Sequence, residues 1–205
     1  MKGLKIVNIN PIKMKSLGGL MKTEQDIINL IANDSYMMDI LDTAEQLNLD
    51  DYWVCAGFIR NKVWDTIHKY SMRTPYNDVD VIYFDQTDLN VQNEKLLEEK
   101  LLKIDPEIPW EVVNQARIYN RHPDVSAFSA SDGIAHFPET PTSVGIRVKE
   151  GKLVLTAPHG IEDLINGIVN PTPLFTKDKY NDTYQNRINS KSWTKTWPDL
   201  VINTD

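Results

Sequence analysis

A single cysteine, Cys55, occurs in the 205 residues, so no disulfide can form within the chain. Flanked by Val54 and Ala56, it reads as a small buried hydrophobe. No apolar run is long enough to span a bilayer. Lysines occur near the start, but Asn8, Asn10 and Pro11 interrupt the apolar residues there, and a signal-peptide core is lacking. The expectation is a cytoplasmic protein without membrane contact. Basic charge is scarce too: 22 Lys and Arg stand against 29 Asp and Glu, for a net charge of -7. A protein that grips long nucleic acid by its phosphates usually carries a basic stripe. Here the cations are scattered, which disfavours that partner and leaves room only for a locally basic pocket. Internal repeats and low-complexity tracts are also missing.

What remains is a globular composition, 41% apolar and 25% charged. The length suffices for one domain with a real core. Gly18-Gly19 marks a break and Thr23 looks like a helix N-cap. Residues 1–20 are therefore expected to form an N-terminal extension, and 21–205 a single domain.

Periodicity divides that domain. Ile27, Leu30 and Ile31, then Met37, Ile40, Leu41 and Ala44, lie at helical spacing, with a break at Asn33-Asp34-Ser35. Tyr52 to Ala56 reads as a buried strand ending at Gly57, and 59–69 as a helix with Ile59, Val63 and Ile67 inward. Val79 to Phe84 is a strand, apolar except at Asp80. A helix follows over 89–104, with Leu97, Leu101 and Ile104 along one stripe, then a strand from Trp110 to Asn114. After a polar stretch, Val144–Val148 and Leu153–Leu155 around Glu150-Gly151 give a hairpin signal. Ile161 to Ile168 reads as a helix, and the tail as short helices or irregular structure. The order implies an α/β (α+β) domain, a mixed β-sheet flanked by helices.

Two short runs carry chemistry. In a strand, residues i and i+2 project to the same side, so Asp78 and Asp80 point together. Paired carboxylates repel and are costly to desolvate unless a cation neutralises them. Magnesium does this with one or two carboxylates plus water and phosphate oxygens. Taken alone, the pair reads as a turn cap at Asp78 and a solvent-facing edge-strand charge at Asp80. The second run, Ala56-Gly57-Phe58-Ile59-Arg60-Asn61, places a glycine turn between a strand and a helix N-terminus, an arrangement suited to phosphate. Arg60 is placed to reach a phosphate oxygen or a sheet carboxylate, and also suits an ordinary helix surface.

Taken together, these runs resemble the polymerase-beta-type nucleotidyltransferase superfamily. The local likeness is to the Gly-Gly-x-Val-Arg-Asp run of CCA-adding enzymes and bacterial poly(A) polymerases. From about Thr23 onward the chain looks like a small bacterial family of nucleotidyltransferases. The stretches that carry this are Ala56–Trp64, Thr74–Phe84, Pro109–Ala116, Phe137–Arg147 and Ala157–Leu164.

The resemblance implies a nucleotidyltransferase fold and two metal ions, Mg2+ (or Mn2+), held by Asp78 and Asp80. It implies a third carboxylate at the position of Glu111, which joins Asp78 and Asp80 in the expected metal set and helps to activate an acceptor hydroxyl. That hydroxyl attacks the α-phosphorus of a nucleoside triphosphate and pyrophosphate leaves. Gly57, Phe58, Arg60 and Asn61 are the expected nucleotide-binding residues. The acceptor is expected to be a small molecule or a protein. The chain departs from the pattern at Ala56, which replaces the first glycine, at Phe58, and in the long stretch from Gly57 to Asp78. These departures keep open a nucleotide-binding module without transfer, or an interaction module on the same fold.

Other residues read as bland. His68, His122, His136 and His159 lack metal-ligand spacing. Trp110, Trp193 and Trp197 are expected in the core rather than stacked on a base. Glu139 to Arg147 reads first as a loop entering the hairpin, and also as hydroxyls and an arginine placed for a nucleotide phosphate or the acceptor; Asp163 reads as a helix-start charge.

Overall fold

The computed structural model describes residues 21–120 and 125–204. The expected 1–20 extension and His122 lie outside them.

Thr23 caps α1 (Glu24–Ala32) in a capping box with Asp26, and Asp34 caps α2 (Ser35–Glu45). The break expected at Asn33-Asp34-Ser35 therefore has its cause in Asp34, whose side chain accepts from the N–H of Met37. Ile27, Ile31, Met37, Ile40, Leu41 and Ala44 are fully buried or nearly so.

β1 (Tyr52–Cys55) runs into α3 (Gly57–Ile67), which starts two residues earlier than the apolar spacing indicated. β2 (Val79–Tyr83), α4 (Val91–Ile104) and β3 (Trp110–Asn114) follow. Leu101 is the buried anchor of α4, whereas Ile104, expected on the same stripe, is 43% exposed. The hairpin forms from β4 (Gly145–Lys149) and β5 (Lys152–Thr156). Its turn residues, Glu150 and Gly151, both have positive φ (52° and 72°). Such left-handed pairs match the twist of the strands they join.

These strands form one mixed sheet in the order β3-β2-β1-β4-β5. β2 and β3 are parallel and the other neighbours antiparallel. α4 makes the crossover that parallel strands require. Val54, Val79, Val81, Tyr83 and Val112 face the main core, with Phe58, Ile59, Val63 and Trp64 of α3. Trp53, Cys55 and Ile82 lie in a smaller cluster with Ala130 and Ile134.

The structure adds elements that the sequence pattern did not show. The polar stretch after β3 contains α5 (Gln115–Tyr119) and α6 (Ala130–Ala135), and α6 packs on β1. α7 (Glu162–Asn166) is shorter than expected because Gly167 ends it in the left-handed conformation. β6 (Ile168–Val169) then pairs with β7 (Val201–Ile202). The tail between them is dominated by α8 (Asp178–Lys191), longer than the short helices or irregular structure expected there. No helix among the described residues is long and apolar enough to cross a membrane.

Candidate active site

The sheet places the carboxylates. Because β2 and β3 are parallel and in register, Asp80 pairs with Glu111. Residues side by side on adjacent strands project to the same face. Asp78 lies two residues before Asp80, just ahead of β2, and its charge is felt at Asp80. β1 runs antiparallel to β2, with Val54 opposite Val81. The end of β1 and the start of α3 are thereby carried to the end of the sheet that bears the aspartates.

The electrostatics follow from this geometry. Burial pushes the Asp80 carboxyl up from its ordinary 3.8 to about 7, with Asp78 and Glu111 adding to the rise; Arg60 and Arg187 oppose it. The same three carboxylates, after burial, push up the thiol of Cys55. Fully buried and held protonated, Cys55 is an inert core residue, as expected.

The donor set suits a hard divalent cation: carboxylate oxygens, one of them short of compensating charge. Among the described residues no three His, Cys, Asp or Glu side chains stand close enough to enclose an ion. Magnesium does not need such a cage, because water and substrate phosphates complete its shell. Glu111 is the exposed member of the trio.

The turn into α3 is tight. Ala56 sits at φ 56°, ψ -118°, a conformation that glycine adopts freely and a Cβ resists. No side chain caps α3. Its first N–H groups and the positive end of its dipole thus meet no capping side chain. At Gly57 a Cβ would come only to 3.5 Å from Arg60 Nη2, an ordinary contact. The fold itself tolerates a methyl there, and the glycine leaves open space beside a guanidinium.

The four expected nucleotide-binding residues divide into two kinds. Gly57 is partly exposed at the turn. Phe58 is fully buried against Tyr76, ring centroids 5.7 Å apart, so its side chain belongs to the core and only its backbone is placed for a ligand. Arg60 and Asn61 are buried and joined by an Nη2–Oδ1 bond of 3.0 Å. Arg60 also donates to Thr142 Oγ1 at 3.0 Å. Its guanidinium carbon stands 5.1 Å from the Trp64 ring and 4.7 Å from that of Trp193. Burial lowers its pKa to about 10, with Arg187 also lowering it and Glu139 acting against this. It remains charged at neutral pH.

Sequence reasoning missed the residues around Arg60. Glu139 is fully buried and pairs with Arg187 of α8, Oε1 to Nε, at 2.6 Å. Glu139 lies in the run read as a hairpin entry, which here winds into a 3-10 turn at Thr140–Thr142. Arg187 sits in a mostly polar helix whose thin stripe, Tyr180, Tyr184 and Ile188, the sequence reading did not pick out. Trp110, Trp193 and Trp197 are buried, as expected. His159 Nε2 meets the carbonyl of Ala135 at 2.7 Å, a structural contact. Asp163 accepts from Thr140 Oγ1 and Asn170 Nδ2, so it braces the 3-10 turn rather than only opening α7.

Comparison with known proteins points the same way. A nucleotidyltransferase family profile matches residues 42–202. A protein whose NMR structure reveals a CCA-adding enzyme head domain superposes with a TM-score of 0.79 at 33% identity, covering 90% of this chain and 97% of that one. A CCA-adding enzyme of Thermotoga maritima, in complex with tRNA, superposes with a TM-score of 0.52 over 87% of this chain and 42% of its own. At 10% identity that likeness speaks for the fold alone. No curated protein matches the chain.

Proposed function

The chain belongs to the nucleotidyltransferase family whose profile it matches, and on that premise we propose that it transfers a nucleoside monophosphate from a nucleoside triphosphate to an acceptor hydroxyl. The observation that carries this reading is the Asp80–Glu111 register, with Asp78 near it and the start of α3 alongside.

In this reading Asp78 and Asp80 hold Mg2+ (or Mn2+), in the two-ion arrangement that the superfamily resemblance implies. When bound, the metal neutralises phosphate charge and polarises the reacting oxygens. The N-terminus of α3, with Gly57, receives the phosphate chain. Arg60, fixed by Thr142, Asn61 and the indoles of Trp64 and Trp193, supplies positive charge that costs no reorganisation. Glu111, exposed beside Asp80, takes the proton of the acceptor hydroxyl. The acceptor oxygen then bonds to the α-phosphorus, and the bond from that phosphorus to the bridging oxygen of pyrophosphate breaks. Ala56 supports retention of the phosphate turn: it keeps a glycine-like backbone at a cost of about 1–3 kcal/mol.

The acceptor is a small molecule or a protein. The net charge of -7 argues against long nucleic acid. Thermal unfolding with the four ribonucleoside triphosphates, with and without magnesium, tests the reading. A ligand at a hundred times its Kd stabilises by about 2.7 kcal/mol, a shift of a few degrees at this size. A magnesium-dependent shift that Asp78→Asn and Asp80→Asn abolish supports the site. A shift that survives both substitutions, or none with any triphosphate, counts against it.

A further inference from the structure

Glu139 is a carboxylate with no solvent exposure. Its Oε1 accepts from Arg187 Nε, while Oε2 has no partner. Arg187 comes from α8, and its side chain keeps 32% of its surface in solvent. Its other guanidinium N–H groups bond to no described residue. Arg60, 7% exposed, also has its Nε without a partner. The backbone that carries Glu139 leads directly into the turn whose Thr142 receives Arg60, so the three charged groups belong to one cluster.

The cluster does not balance. Two guanidinium groups share one buried carboxylate, beside the uncapped start of α3, itself a positive pole, and the other carboxylates that act on Arg60 are Asp80 and Asp78, the expected metal ligands. As a device for stability this is poor, because burying charge costs more than packing apolar groups of the same volume. The imbalance makes sense if an anion completes it. Toward the sheet the charge is reversed, with Glu111 beside Asp80 and Asp78 near it. Both guanidinium groups, Arg60 and then Arg187, are felt at Asp80. A ligand that satisfies both sides must be strongly anionic at one end and carry oxygens that share a metal with carboxylates at the other. A polyphosphate does so; a simple carboxylate does not.

We propose that Arg187 is a second guanidinium of the triphosphate site, held by the buried Glu139 so that its free N–H groups take non-bridging oxygens of the phosphate chain. This rests on the nucleotidyl-transfer reading above and adds a residue from α8, remote in sequence from the strand-turn-helix run. The planar fork of arginine suits paired phosphate oxygens, which a lysine ammonium meets only as a point charge.

The test is calorimetric titration, in magnesium, with the best-binding ribonucleoside triphosphate, its monophosphate and inorganic tripolyphosphate. The proteins are wild type, Arg187→Lys, Arg187→Ala and the double variant Glu139→Gln/Arg187→Gln. The double variant removes both charges of the Glu139–Arg187 pair together, so it reports on binding even where Arg187→Ala fails to fold. The expected result is a loss of about tenfold to a hundredfold for triphosphate and tripolyphosphate in the alanine and double variants. The lysine variant should lie between, and monophosphate affinity should hardly change. Triphosphate affinity within about twofold of wild type in the double variant overturns the assignment. An equal loss for monophosphate also overturns it, since that marks Arg187 as merely structural. Failure of wild type to bind either triphosphate or tripolyphosphate sinks the parent reading instead, and this inference with it.

Discussion

Asp80 and Glu111 stand side by side in register on the parallel strands β2 and β3. Asp80 is half-buried, whereas Glu111 is exposed. The pair thus offers one carboxylate shaped for an ion and one open to solvent and a second substrate. Glu111→Gln should keep magnesium-dependent triphosphate binding but slow pyrophosphate release by about 10²–10⁴-fold, the usual worth of a positioned base. Asp80→Asn should lose binding itself. Parallel measurement of Kd and single-turnover rate separates the two, and equal effects on both quantities in both variants would remove the division of labour.

Asp80 also sets a pH dependence. Its folded pKa is raised from 3.8 to about 7, by burial first and then by its carboxylate neighbours. In the metal-free protein the unfolded chain releases this proton near pH 4 while the folded chain keeps it until about 7. Stability conferred by Asp80 is therefore full below about pH 4, falls as pH rises to about 7, and is level beyond. Urea unfolding in a chelator, from pH 5 to 8, should show wild type losing stability relative to Asp80→Asn. Parallel curves for the two proteins would rule out the strain at this carboxylate.

The adjacent residues Ala56 and Gly57 should respond in opposite ways to swaps of one methyl. Ala56 holds φ 56°, so Ala56→Gly removes strain of about 1–3 kcal/mol and adds unfolded-chain entropy worth about 0.4–1 kcal/mol. The variant should be at least as stable as wild type. Gly57→Ala should fold well, since its Cβ meets nothing nearer than 3.5 Å. Its methyl would, however, stand where the phosphate approaches, and triphosphate affinity should drop. Denaturant midpoints and titrations on the two variants check both halves; a destabilised Ala56→Gly or an unimpaired Gly57→Ala contradicts the account.

Arg60→Met distinguishes a binding cation from a structural one. Methionine can lie between Trp64 and Trp193 without a charge to desolvate, which offsets part of the loss of the hydrogen bonds to Thr142 and Asn61. Unfolding free energy should fall by no more than about 1–3 kcal/mol, the worth of those hydrogen bonds, while triphosphate affinity falls by about tenfold or more. A fall in stability beyond about 3 kcal/mol, with affinity intact, would assign Arg60 to the fold alone.

Much of this architecture could be read from local pattern. The caps at Thr23 and Asp34, the strand Trp110–Asn114 and the Glu150-Gly151 turn are governed by nearest neighbours and by periods of 2 and 3.6. That Asp78 and Asp80 lie two residues apart at the start of one strand also follows from the chain alone. α5, α6 and α8 escaped because their sequences are short or polar, and they are held as helices by the surfaces they meet. Among the described residues of α8, only Tyr184 and Ile188 are buried.

By itself, then, the sequence determined a mixed α/β fold, an acidic pair on one strand and a glycine turn before a helix. Only the tertiary structure decided that Glu111 stands beside Asp80, since strand register is a property of pairing and not of either strand. It alone decided that Phe58 turns into the core and that Glu139 and Arg187 meet at 2.6 Å. Those outcomes depend on contacts between distant segments, whose energies arise only once burial has removed the water that would otherwise screen them.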